Sequence, residues 1–289
     1  MRADSYKIAV IGGDQRQICL AQILASRGYD ISVCGLCGSA RKAGVRETAA
    51  LEEALEGADA VAAPVPFFRE EKIAGEYTVP DMNVETLLDR MPATAKLFAG
   101  NIPEDIGRRA GEKGIGVYDV MRDEITAMRN TVAAAEGAVA EAITRSTVNL
   151  TRSRCIVLGY GRCGSTLVRL LKAFSCTVFV AEKDRGRAAA AAVAADGIVS
   201  DAELAAVIEK ADFIFNTVPE MVLTKERMSC AGERTWILDL ASARGGVDHR
   251  AAEELGVNAV LLPGLPGRYA PYSSAEILAD FIESRIGIR

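Results

Sequence analysis

Arg154-Cys155-Ile156-Val157-Leu158-Gly159-Tyr160-Gly161-Arg162-Cys163-Gly164 opens a stretch of chain that closes at Glu182. The apolar run 154–158 has strand character, and a glycine-rich turn follows it. An amphipathic helix then extends to about residue 174, and a second apolar run occupies 176–181. Glu182 comes 18 residues after Gly164. Strand, glycine turn, helix, strand and acid, in that order, form the layout of a dinucleotide-binding βαβ unit. Gly159 allows the tight turn out of the strand, and Gly161 lets backbone approach a pyrophosphate. Gly164 brings the helix close to the sheet, with its first amides facing the phosphates. The competing reading is a chance turn in a cofactor-free α/β domain. The flanking strand, helix and acid favour bound NADP or NAD, contacted by Gly159, Tyr160, Gly161, Arg162, Cys163 and Gly164.

With 289 residues, the chain is long for one core and short for three, so two domains are expected. Half of it is apolar and a quarter charged, as in ordinary globular proteins. A net charge of −5 argues against a broad nucleic-acid surface. No apolar run approaches the roughly 20 residues that span a bilayer. The residues from Met1 to Tyr6 show no signal-peptide pattern, and seven cysteines form no disulfide-like framework. Both point to a reducing, cytoplasmic setting.

Apolar runs and helical patterns alternate along the chain. In the first part, runs at 7–11, 29–33, 59–63, 96–99 and 116–118 read as strands. Segments 15–27, 51–55, 84–89 and 103–113 read as helices, and 67–81, which has no period, reads as a surface loop. The alanine-rich segment 123–147 predicts one long helix, because Ala has the highest helix propensity. Beyond the glycine unit, further alternation places strands at 198–199, 212–216, 235–239 and 257–261. Alternation of this kind gives parallel sheets covered on both faces. The expected class is therefore α/β, with two doubly wound parallel-sheet domains joined by a long helix, the second a Rossmann NAD(P)-binding domain. The expected division is 1–122 for the first domain, 123–149 for the connecting helix and 150–268 for the cofactor domain. The last helix, within 269–289, is expected to return to the first domain, and the connecting helix to lie along a cleft. Pro263-Gly264-Leu265-Pro266-Gly267 is read as breaking all regular structure.

Ligands of doubly wound sheets sit beyond the carboxyl ends of the strands. Glu182 is placed to accept hydrogen bonds from a ribose, which favours NAD. Lys183, Arg185 and Arg187 are the kind of partner a 2′-phosphate needs, which keeps NADP open; their alternative is a solvated helix start. Asn216, Thr217, Val218 and Pro219 end a strand where a nicotinamide ribose would lie, and Ala241 and Pro263 follow the next two strands. The turn Ser242-Ala243-Arg244-Gly245-Gly246-Val247-Asp248 resembles the Arg-Gly turn of D-2-hydroxyacid dehydrogenases. Those enzymes also use a histidine after the next strand, and here that position reads Pro263-Gly264. His249, the one histidine, reads as an exposed capping position. Without that base, alcohol oxidation is disfavoured. Cys34-Gly35-Leu36-Cys37 has no second pair, so its thiols are read as structural and no metal site is expected.

The whole series resembles the A subunits of bacterial dipicolinate synthase. The markers are Lys7-Ile8-Ala9-Val10-Ile11-Gly12-Gly13-Asp14 with Arg16-Gln17, Glu136-Gly137, and Gly159 through Gly164. Asn216-Thr217-Val218-Pro219, Asp239-Leu240-Ala241-Ser242 with Gly245-Gly246, and Pro263-Gly264-Leu265-Pro266-Gly267 complete them. The resemblance implies oxidation of dihydrodipicolinate with hydride transfer to NADP or NAD. It also implies that the partner is a flavoprotein-like B subunit, that the chain forms a homo-oligomer, and that it works in the mother cell during spore formation. A small dicarboxylate needs two anion anchors. The candidates are Arg244, Gly245, Gly246 and Arg268 from the cofactor domain, with Arg16 and Arg122 from the first. Arg244 stands where the family pattern has a proline. Glu136 is the candidate proton acceptor; its alternative is a helix salt bridge.

Overall fold

The computed structural model describes residues 6–36, 45–69, 72–77, 79–241 and 245–287. The chain divides into two compact units, Met1–Arg129 with Ala270–Arg289, and Asn130–Tyr269.

The first unit runs β1 (Lys7–Ile11), α1 (Gln15–Ser26), β2 (Asp30–Cys34), β3 (Val45–Glu47), α2 (Leu51–Leu55) and β4 (Ala60–Ala62). A small hairpin follows, β5 (Phe68–Arg69) and β6 (Lys72–Ile73). Then come α3 (Val84–Arg90), β7 (Lys96–Ala99), α4 (Glu104–Glu112), β8 (Gly116–Asp119) and the start of α5 (Glu124–Arg145). Six strands form one parallel sheet in the order β3-β2-β1-β4-β7-β8. The winding reverses between β1 and β4. Capping residues fix the helix starts: Asp14 accepts from the Arg16 amide, Asn83 from Thr86, and Asp123 from Thr126.

The described residues of 67–81 do not form a plain surface loop. Phe67 and Ile73 are 0% and 1% exposed and sit in the core of this unit. Two-residue strands carry no readable period, so the sequence pattern does not reveal them. Core membership, rather than polarity, decides this segment.

In the second unit, β9 (Arg154–Leu158), α6 (Arg162–Ala173), β10 (Thr177–Ala181), α7 (Arg185–Ala194) and β11 (Gly197–Ile198) come first. They are followed by α8 (Leu204–Ile208), β12 (Phe213–Asn216), α9 (Lys225–Met228), β13 (Trp236–Asp239), α10 (His249–Leu255), β14 (Asn258–Leu261) and α11 (Leu265–Tyr269). The order β11-β10-β9-β12-β13-β14 repeats that of the first sheet, again all parallel. The fold class is thus two doubly wound parallel-sheet units. Ala135, Ala138, Val139 and Ala142 of α5 pack into the core with β9, and the Arg145 guanidinium lies 5.9 Å from the centroid of Trp236. Residues 265–269 form the short helix α11, against the expectation of a complete break. Leu265 and Gly267 are buried there, and the helix's one proline, Pro266, stands in its first turn, where no helix hydrogen bond is lost.

The last helix, α12 (Pro271–Ile286), belongs to the first unit. Its Leu278, Phe281 and Ile282 join Leu20 and Leu24 of α1 in one core. Arg27 pairs with Asp280 and Glu283, Arg129 with Asp280, and Arg285 with Asp123.

Candidate dinucleotide site

At the end of β9 the backbone turns through Gly159 at φ +88°, a left-handed conformation that favours glycine. A Cβ there would lie 2.7 Å from the Val218 side chain. At Gly164 it would meet the Gly159 carbonyl oxygen at 2.1 Å, so α6 touches the turn only because this residue has no side chain. At Gly161 a Cβ would meet nothing within 4 Å. The Thr217 hydroxyl donates to the Leu158 carbonyl at 2.8 Å and fastens the end of β12 to the turn. No side chain caps the start of α6.

These features border a cavity of about 670 Å³, within the roughly 300–1,000 Å³ typical of small-molecule sites. Gly159, Gly161, Arg162 and Cys163 line one side, and Thr217, Val218 and Pro219 another. Glu182, Lys183 and Arg187 line the far end. The residues fit a dinucleotide. Helix-start amides without a side-chain cap and an open glycine face would meet a pyrophosphate, and the cavity extends to residues at the end of β10.

The Glu182 carboxylate, 6% exposed, is already engaged. It accepts from the Tyr160 amide at 2.8 Å, the Asp184 amide at 2.9 Å and the Arg187 guanidinium at 3.1 Å. Burial raises its pKa, but these donors outweigh burial and hold it below the usual carboxylate value. It braces the turn while it lines the cavity. Arg185 does not line the cavity, whereas Arg187 does. Two residues apart on a helix point about 200° apart, so only one of them faces inward.

Several other expected residues lie elsewhere. Asn216 is fully buried and donates to the Val218 carbonyl and the Asp239 carboxylate, bracing the turn from beneath. Ala241 donates to Asp239, and Pro263 is exposed beyond β14; neither lines the cavity. Gly246 lies so close to the Val218 carbonyl that a Cβ would meet it at 2.4 Å, and a Cβ on Gly245 would meet Asp239 at 2.6 Å. Arg244, like Ser242, Ala243 and Cys37, lies outside the described residues. Arg268 donates to the buried Glu141, which also holds Arg145 and Tyr269, so it is a structural cation rather than a free anchor. Arg16 is likewise committed: it is buried, bound twice to Asp14 and once to the Val65 carbonyl. Arg122 is 71% exposed in the first unit, 3.7 Å from Asp119. Glu136 lines a separate groove of about 220 Å³ with Val132, Thr166 and Arg169, and that groove shares no residue with the dinucleotide cavity.

His249 is not a cap, contrary to the sequence pattern. Asp248 caps α10, and the imidazole Nε2 lies 3.2 Å from the wholly buried Asp239 carboxylate. Nothing in a Val-Asp-His sequence announces a partner ten residues earlier. Among the described residues no cluster of three metal-ligating side chains occurs, and no helix is long and apolar enough to cross a membrane.

A family model of the N-terminal domain of dipicolinate synthase A subunits matches residues 7–121. The NAD binding domain of D-isomer specific 2-hydroxyacid dehydrogenases matches residues 120–247. The dipicolinate synthase A subunit of Bacillus subtilis (strain 168) is 32% identical, over 96% of this chain and 94% of its own length. The chain belongs to the family of dipicolinate synthase A subunits. The crystal structure of the family member from Bacillus halodurans superposes with a TM-score of 0.86 at 26% identity, covering 98% of each chain. A transhydrogenase from Sinorhizobium meliloti shares the fold, with a TM-score of 0.71 at 18% identity over 96% of this chain and 94% of its own. The second unit is an NAD(P)-binding domain of the dehydrogenase type, which places this family member among oxidoreductases.

Proposed function

We propose that the chain is the A subunit of a dipicolinate synthase and oxidises dihydrodipicolinate to dipicolinate in spore formation. The observation that carries this reading is the end-to-end match to a dipicolinate synthase A subunit, combined with a dinucleotide cavity at the glycine turn. Bound NAD(P) would accept the hydride. The ring loses one C–H hydrogen with its electron pair and one as a proton, and the product gains aromaticity. The residues must therefore orient the substrate and exclude water more than they must supply a strong base. Anchors for the carboxylates come from Arg244 and the Gly245 and Gly246 amides. A flavoprotein-like B subunit is the partner, and the setting is the cytoplasm of the mother cell.

The test is to mix purified protein, dihydrodipicolinate and NADP or NAD and to follow reduced nicotinamide by absorbance. Turnover by the chain alone supports the proposal. A signal only when the flavoprotein is added supports a second reading, in which this chain is a non-catalytic NAD(P)-binding regulator. That second reading is favoured by one observation: among the described residues, no histidine or tyrosine lines the cavity. A divergent 2-hydroxyacid dehydrogenase would instead turn over a 2-keto acid, and the Pro263-Gly264 turn argues against it.

A further inference from the structure

His249 is the chain's one histidine, and it is not among the residues that line the dinucleotide cavity. It opens α10 with its side chain 34% exposed, and its Nε2 lies 3.2 Å from Oδ2 of Asp239. Asp239 ends β13 and is wholly buried. A carboxylate at that depth costs free energy unless both oxygens find donors. Oδ1 accepts from the Asn216 side chain at 2.8 Å and from the Ala241 amide at 3.1 Å. For Oδ2, the imidazole is the one donor among the described residues.

From Asp239 the contacts run on to the cavity wall. The Asn216 amide nitrogen that holds Oδ1 also donates to the Val218 carbonyl at 2.9 Å, and the Asn216 side-chain oxygen accepts from the Val218 amide at 3.2 Å. Val218 lines the dinucleotide cavity, against the glycine turn. On its other side, the same carboxylate sets the second turn. A Cβ on Gly245 would meet Oδ2 at 2.6 Å, and a Cβ on Gly246 would meet Asn216 Nδ2 at 2.5 Å. One buried acid thus pins both 216–218 and 245–246, and a side chain on α10 completes its hydrogen bonding.

We infer that His249 is a positioning residue of the coenzyme site, donating through Nε2 to Asp239 and so fixing, through Asn216, the Val218 wall of the cavity. The inference rests on the dinucleotide site of the proposed function and adds to it a residue outside the cavity. Titration calorimetry of the intact chain with NAD and with NADP reads the effect. His249→Ala leaves Oδ2 without a donor and weakens the tighter-binding coenzyme about tenfold. His249→Gln restores affinity to within about threefold of wild type, because its amide nitrogen reaches the place of Nε2. His249→Asn, whose shorter amide matches Nδ1, stays as weak as His249→Ala; a residue needed only to start the helix would accept Asn at least as well as Gln. In an Asp239→Asn background, His249→Ala costs less than about a further twofold, because the two residues act as one unit. Thermal unfolding checks that each variant keeps its fold, and should Asp239→Asn fail to fold, the Ala, Gln and Asn series decides alone. Wild-type affinity in His249→Ala, equal rescue by Asn and Gln, or additive losses in the double variant overturns the inference and leaves the dinucleotide site intact. Binding of neither coenzyme by the wild-type chain overturns the site itself, and the inference with it.

Discussion

The two units share one strand order, yet among the described residues their reversal points are built differently. In the second unit, the gap between β9 and β12 leads into the dinucleotide cavity, and no side chain caps the helix that starts there. In the first, the gap between β1 and β4 is filled by the protein itself. Gly12 turns at φ +55°, and a Cβ on it would meet the Ala74 carbonyl at 2.7 Å. The Gly13 amide donates to that same carbonyl, and Glu76 donates back to Gly13. Asp14 caps α1 with a carboxylate, Arg16 neutralises it, and Gln17 reaches the Ala62 carbonyl. Topology therefore creates a place for a ligand, and the segment that follows the fourth strand decides whether that place stays open to one. An acid at the helix start completes the closure, since it occupies the amides that an anion would use.

The difference can be broken from either side. Gly164→Ala is expected to have the largest effect. The forced separation of α6 from the turn should cut dinucleotide affinity about a hundredfold or more, measured by calorimetry. Asp14→Ala comes next. It strips the buried Arg16 of its partner and α1 of its cap, and should cost about 2 kcal/mol in urea unfolding with coenzyme affinity unchanged. Gly161→Ala, facing open space, should leave unfolding within about 0.5 kcal/mol of wild type while weakening the dinucleotide about tenfold.

The smallest effect is a pH dependence. Burial raises the Asp14 pKa, but the Arg16 guanidinium and amide outweigh it and hold it below the usual carboxylate value. A lowered folded-state pKa means that the stabilisation is complete above the ordinary carboxylate range and is lost as pH falls through the lowered value. Asp14→Asn should therefore flatten the acid limb of the first unit's stability. An unchanged acid limb would assign that limb to other carboxylates.

Much of the architecture was legible because buried parallel strands are short apolar runs, and glycine turns punctuate them. What escaped had no such signal. Strands β3, β5 and β6 are two or three residues long, and α11 is a five-residue helix with a proline in its first turn. At the site, the glycine positions could be read because their task is steric and local. The tasks of charged residues could not, because a charge is defined by its partner. Arg16 and Arg268 looked like anchors for a dicarboxylate, yet one is spent on Asp14 and the other on Glu141, 127 residues away. Glu182 stood in the right place with its oxygens already taken. Arg187, rather than Arg185, faces the cavity, because helix phase separates residues that stand almost side by side in the sequence.

Trp236 has an optical consequence. It is the chain's single tryptophan, and it lies on β13 with Arg145 near its ring. Excited at the red edge of its absorption, the protein emits only from the second unit, and the first is dark. Fluorescence and circular dichroism thus observe different parts of one molecule. If the filled crevice loosens before the open one, ellipticity will fall while the emission stays still.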